Sequence, residues 1–142
     1  MRRFLLVLAS LAAILAGCGD DGERRFAPQE FVDEINARGA AVELEDVITT
    51  NEEGVEIYSV RFTEAAAGAT GEGRIGPAVH GSGSLLILPD ADVAKEEYER
   101  CLPAPALTCF RAANAVMRFE DLEPADQARL VSALSAIETV GG

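Results

Sequence analysis

A histidine and two serines in a glycine-rich stretch are the residues of the chain with the clearest potential for chemistry. His80 is the only histidine, and Ser82 and Ser84 follow it in the run His-Gly-Ser-Gly-Ser. A serine activated by a histidine base is the reacting pair of many hydrolases. A nucleophile elbow, however, places its serine after a strand, before a helix, and with glycines two residues to either side. Ser82 precedes a predicted strand and its glycines are adjacent, so we expect His80 to be an exposed loop residue.

A second glycine-rich motif has the letters of a nucleotide-binding loop. Residues 71–76 read Gly-Glu-Gly-Arg-Ile-Gly, which matches G-x-G-x-x-G. Binding by such a loop needs a strand before the glycines and a helix whose N-terminus receives the pyrophosphate. Here an alanine-rich stretch precedes the glycines and Pro77 follows them. We therefore predict no cofactor.

Residues that could ligate a metal are few. His80, Cys101 and Cys109 are too unevenly spaced for a zinc cluster. No stretch has the Asp-x-Asp-x-Asp-Gly spacing of a calcium loop. The sequence therefore predicts no metal site.

The first residues of the chain have the layout of a secretory signal. Met1-Arg2-Arg3 is basic, and the twelve residues from Phe4 to Leu15 are apolar except for Ser10. A helix of that length spans about 18 Å, whereas the hydrocarbon layer of a membrane is about 30 Å thick. Leu15-Ala16-Gly17-Cys18 follows directly and resembles the lipobox of bacterial lipoproteins.

This resemblance implies a lipid anchor. In that family the cysteine is joined to a diacylglycerol and the preceding peptide is removed, so Cys18 would be the first residue of a protein tethered on the extracytoplasmic side of a membrane. Residues 1–17 would be the signal peptide, 18–27 the lipidated cysteine with a polar, flexible tether, and 28–140 a single domain. A secreted protein in which Cys18 is incidental is the alternative.

The specific resemblance covers residues 1–18 only. Residues 26–140 are similar in general character to the small domains of uncharacterised bacterial lipoproteins, and no active residue can be carried across from them. The resemblance therefore implies a location and leaves the ligand open.

The negative net charge of the chain disfavours partners that are themselves strongly negative. Without residues 1–17, 10 basic and 24 acidic residues remain, a net charge of −14. Such a charge repels nucleic acid and anionic lipid head groups. We predict no nucleic-acid partner, contact with the membrane through the lipid on Cys18, and an envelope protein or a small ligand as the partner. The acidic surface is typical of a soluble domain, and a surface for a basic partner is the alternative.

The two remaining cysteines form an even pair. Once Cys18 is assigned to the lipid, Cys101 and Cys109 are left in a compartment where paired thiols oxidise. We predict a disulfide between them. Two free, buried thiols are the alternative.

Hydrophobic periodicity predicts the elements that must position these residues. Proline and aspartate favour helix starts at Pro28, near Asp90 and at Pro124, and Gly39 favours the end of the first helix. A long connection is predicted from Thr63 to Ser82. Strands are predicted over residues 40–44, 55–62, 84–88 and 114–119.

The predicted order α-β-β-β-α-β-α indicates an α+β domain with a mostly antiparallel sheet of about four strands and helices packed on one face. For function, the sequence favours a membrane-anchored lipoprotein whose domain is a non-catalytic binding or accessory module outside the cytoplasm. A cell-envelope hydrolase that uses the His80 and Ser82 region, and a structural subunit of an envelope complex, are the alternatives.

Overall fold

The computed structural model describes residues 24–63 and 82–140, with side chains to residue 137. The predicted signal peptide, Cys18, most of the tether and most of the long connection before residue 82, including His80, lie outside the described residues. The described elements are, in chain order, α1 (Pro28–Asn36), β1 (Val42–Thr50), β2 (Glu56–Phe62), β3 (Gly83–Ile87), α2 (Ala91–Cys101), β4 (Thr108–Ala112), β5 (Ala115–Phe119) and α3 (Pro124–Val140).

The strands form one antiparallel sheet in the order β1-β2-β3-β5-β4. The α+β class is confirmed, but the described residues form five strands where about four were predicted, in the order α-β-β-β-α-β-β-α. The missed strand is β4. Its sequence, Thr-Cys-Phe-Arg-Ala, has no apolar run, and the turn that joins it to β5 is Ala113-Asn114, with Ala113 at φ 48° where glycine is usual.

The helices cover both faces of the sheet, so the prediction that they pack on one face is wrong. Leu85 and Leu86 are neighbours on β3, point to opposite faces and are both buried. Leu85 packs in a cluster with α1 and α3, whereas Leu86 packs with Ala94 of α2. The continuous apolar run of β3, which predicts a buried central strand, is the sequence signal of this second covered face.

The main core lies between the sheet and the helices α1 and α3. Phe31, Val32 and Ile35 of α1 are buried there, as the spacing of the first helix predicts. The other members of this cluster include Val42, Val60, Leu85, Met117, Phe119, Leu130, Ala133, Leu134 and Ile137.

The helix boundaries follow from local chemistry. Asp90 is the N-cap of α2, where its carboxylate accepts a hydrogen bond from the backbone N–H of Val93 at 2.9 Å, which confirms the predicted cap. Pro28 begins α1, and a turn with Gly39 at φ 91° follows its end. Among the described helices, none has the length and apolar character that crossing a membrane requires.

Candidate functional site

The strand β4 forms one edge of the sheet and pairs only with β5 in the part of the chain that the structure describes. The register pairs Arg111 with Val116, which lies in the α2-side cluster, and Phe110 with Met117, which lies in the main core. Arg111 therefore lies on the face that α2 covers, and Phe110 lies on the face that α3 covers.

An open groove follows this edge. It encloses about 240 Å³, and we call it the β4 groove. One wall comes from α2, the opposite wall comes from α3, and β4 forms the floor. Its lining residues are Tyr98, Cys109, Phe110, Arg111, Val131, Leu134 and Ser135.

Arg111 gives the β4 groove its charge. Within the described residues, Arg24, Arg38, Arg61, Arg100, Arg118 and Arg129 each contact a carboxylate. Arg111 is half-buried and has no carboxylate partner among the described residues, although the chain carries twice as many acidic as basic residues. An arginine in this state can bind an incoming anionic group, since its planar fork of N–H donors matches a carboxylate.

Two other features of the lining favour binding. The hydroxyl of Tyr98 has no hydrogen-bond partner among the described residues and is available to donate to a bound partner. On the α3 side, Val131 is 44% exposed and lies beside Leu134 and Phe110. The groove thus has a polar wall and an apolar wall on opposite sides of a strand edge.

The predicted cysteine pair fixes the polar wall. Cys101, the last residue of α2, and Cys109 of β4 have their sulfur atoms within bonding distance and their α-carbons 6.3 Å apart. This α-carbon separation lies within the range that a disulfide requires. A bond at this position ties α2 to the edge strand and sets where Tyr98 lies relative to Arg111.

The other predicted candidates do not form a site among the described residues. Ser82 is exposed and precedes β3, and Ser84 is half-buried on β3, where it pairs with Ser59 and Arg118. No group of His, Cys, Asp or Glu within residues 24–63 and 82–140 could hold a metal ion. Because His80 lies outside these ranges, its proposed roles stay predictions.

A second surface depression lies at the opposite edge, along β1. Its lining includes Glu43 and Glu45, and both carboxylates contact Arg61, at 2.7 and 3.0 Å. The strand is also irregular, with register shifts on either side of Val47. Glu43 and Glu45 are paired with Arg61, and Ser59 donates to Glu45, so it is the weaker candidate.

The carboxyl group of Glu34 and the phenol group of Tyr58 have clearly shifted pKa values, and both lie outside the β4 groove. Hydrogen bonds from Arg38 and Arg24 lower the pKa of Glu34. The hydroxyl of Tyr58 donates to Glu56, which raises the pKa of Tyr58. Both shifts come from local contacts on α1 and β2 and mark no reactive group.

Tyr98 and Arg111 were not among the candidate residues predicted from the sequence. Tyr98 fits the apolar stripe of α2, and Arg111 lies in a segment predicted to be a connection. The available signal was a single basic residue between Phe110 and Ala112 in a strongly acidic chain. No protein-family model, curated protein or solved structure matches the chain, so the function is inferred from the groove and the sequence.

Proposed function

We propose that the protein is a lipoprotein, anchored through Cys18 on the extracytoplasmic side of a membrane, and that its domain is a non-catalytic binding module that uses the β4 groove. The observation that carries the binding role is the groove itself. Within residues 24–63 and 82–137, it joins an unpaired sheet edge, an arginine without a carboxylate partner and an exposed apolar wall at one place.

Two observations support the anchor and the compartment. The run Leu15-Ala16-Gly17-Cys18 has the residues of a lipobox after a basic start and a short apolar segment. The geometry of Cys101 and Cys109 suits a disulfide, and disulfides persist in oxidising compartments. The acidic charge agrees with this reading, since it keeps the domain off anionic head groups.

The tether limits where the partner can be. Phe26 is buried just before the predicted domain, and seven residues separate it from Cys18. The eight Cα–Cα steps from Cys18 to Phe26 reach at most about 28 Å when fully extended, and a flexible chain of that length averages about 16 Å. The partner would therefore lie close to the membrane surface.

The lining of the β4 groove suits binding better than catalysis. Its donors are a guanidinium and a phenol hydroxyl, and the hydroxyl of Ser135 donates to the carbonyl of Val131 at 2.7 Å. Its volume of about 240 Å³ is smaller than the pockets of roughly 300–1,000 Å³ that enclose small-molecule ligands. A groove of this size fits one part of a larger partner.

Site-specific photo-crosslinking in living cells tests this function. A photoreactive amino acid replaces Val131 in the groove or, as a matched control, Ile48 on the β1 edge, which is 60% exposed. Both positions are exposed aliphatic residues near a sheet edge. We expect a discrete crosslinked envelope component from position 131 and none from position 48. The absence of an adduct at position 131, or equal adducts at both positions, would contradict the proposal.

A further inference from the structure

We propose that the β4 groove receives an extended peptide segment as a sixth strand of the sheet, and that a carboxylate side chain of this segment binds Arg111. This inference rests on the proposed binding function and names the class of partner. It follows from three features: the open edge, the two different walls and the charge of Arg111.

The two edges of the sheet differ in their ability to pair. At β1, the carboxylates of Glu43, Glu45 and Asp46 and the register shifts around Val47 are features that block the addition of another strand. The ladder between β4 and β5 is regular over all five residues, and β4 carries one charged residue. An antiparallel edge strand directs the N–H and C=O groups of every second residue outward. The β4 edge can therefore accept another strand.

The walls of the groove set the side-chain pattern of that strand. Successive side chains of an added strand point to opposite faces of the sheet. On one face they meet Tyr98 and Arg111, and on the other they meet Val131 and Leu134. The fitting segment alternates an acidic residue with apolar residues, as in other cases where a peptide adds to a sheet edge.

Charge complementarity distinguishes this occupant from a second copy of the chain. The β4 segment of a second copy, Thr-Cys-Phe-Arg-Ala, offers no carboxylate and would bring a second arginine to the groove. Two copies would also repel each other, since each carries a net charge of −14 after residue 17. A free small carboxylate could bind Arg111 but would leave the strand edge and Val131 uncovered.

A selection from displayed random ten-residue peptides tests the inference, with the purified full-length mature protein in detergent as the target. The enriched peptides should carry Asp or Glu at a recurring position. The residues directly before and after it, whose side chains point to the apolar wall, should be apolar, β-branched or aromatic. The selection is repeated with Arg111→Gln and with the matched control Arg25→Gln. Arg25 is exposed, lies outside the groove and also has no carboxylate partner among the described residues.

The strongest peptide is then measured by fluorescence anisotropy in three forms. Replacing its acidic residue with the amide should weaken binding to the wild-type protein at least about tenfold, and Arg111→Gln should remove that difference while Arg25→Gln keeps it. Methylating the backbone nitrogens on the side that faces β4 should abolish binding, because an added strand needs its backbone hydrogen bonds.

Each result decides one claim. Enriched peptides without an acidic position, or equal binding by the acid and amide forms, would overturn the role of Arg111. Full binding by the methylated peptide, or no enrichment at all, would overturn strand addition. If these tests fail while position 131 still crosslinks to an envelope component, the binding function stands and the peptide inference falls. Failure at position 131 removes the binding function itself.

Discussion

The side-chain oxygen of Asn114 accepts a hydrogen bond from the backbone N–H of Phe26 at 2.8 Å, although the two residues are 88 positions apart. The amide nitrogen of Asn114 donates to the carbonyl of Phe26 at 3.1 Å and to that of Leu88 at 2.9 Å. One buried amide therefore fixes the start of the domain against the turn between β4 and β5. This contact holds the segment that precedes α1 against the sheet.

Replacing Asn114 with alanine should lower the free energy of unfolding by about 3 kcal/mol, because it leaves a buried N–H and two carbonyls without their partners. Denaturation with urea measures the effect. Gln29→Ala is the control, since this exposed amide donates a hydrogen bond to Asp33 on the same helix and its loss should cost less than about 0.5 kcal/mol. A loss below about 1 kcal/mol for Asn114→Ala would show that the contact does not hold the N-terminal segment.

The disulfide is the second prediction. A Cys18→Ser variant purified without reductant, from the envelope or from the medium if it is released, should show no titratable thiol after denaturation, and reduction should lower stability by about 2 kcal/mol. The ring closes over a sequence separation of 8, and Pro103 and Pro105 already restrict the unfolded chain. Two titratable thiols before reduction would refute the bond.

The pattern of apolar residues predicted the central part of the fold well. The predicted strand 55–62 corresponds to β2, and 84–88 corresponds to β3 within one residue, because their side chains pack in the core. The predicted strand 40–44 was too short: β1 continues to Thr50, where Glu45 and Asp46 are exposed and leave no hydrophobic signal. Pairing with β2, a tertiary contact, extends that strand.

The β4 groove could not be predicted in the same way. Tyr98, Arg111 and Val131 are far apart in the sequence, and only the packing of α2 and α3 on opposite faces of β4 brings them to one place. Arg111 is recognisable as a candidate because the structure leaves it without a carboxylate partner among the described residues. The pairing of Cys101 with Cys109, by contrast, was predicted from the number of cysteines left after Cys18 and from the oxidising compartment expected for the protein.

The lipid anchor is the third prediction. At about 0.8 kcal/mol per buried CH₂, one acyl chain holds a protein only weakly, whereas a diacylglyceryl group supplies two. We expect the wild-type protein to incorporate a labelled fatty acid, and Cys18→Ser to be unlabelled and either released or uncut. A wild-type protein that takes up no label would remove the anchor from the proposal.

His80 gives a test of the enzyme alternative. We expect His80→Ala to complement a deletion strain as well as the wild-type gene does, because a histidine in a glycine-rich segment without an identified acid partner is more often solvated than catalytic. The variant must be shown to accumulate to the normal level. Loss of complementation at that level would favour the hydrolase reading.

Amide hydrogen exchange tests the central claim, that the β4 groove is where this protein binds its partner, most directly. Exchange is compared between the protein in its native envelope, where the partner is present, and the same protein purified alone. A strand bound at the edge would cover the outward amides of β4, so residues 108–112 should exchange more slowly in the envelope, while β1, residues 42–50, should exchange equally in both states. Equal exchange of β4 in the two states, or slowing confined to β1, would contradict the account.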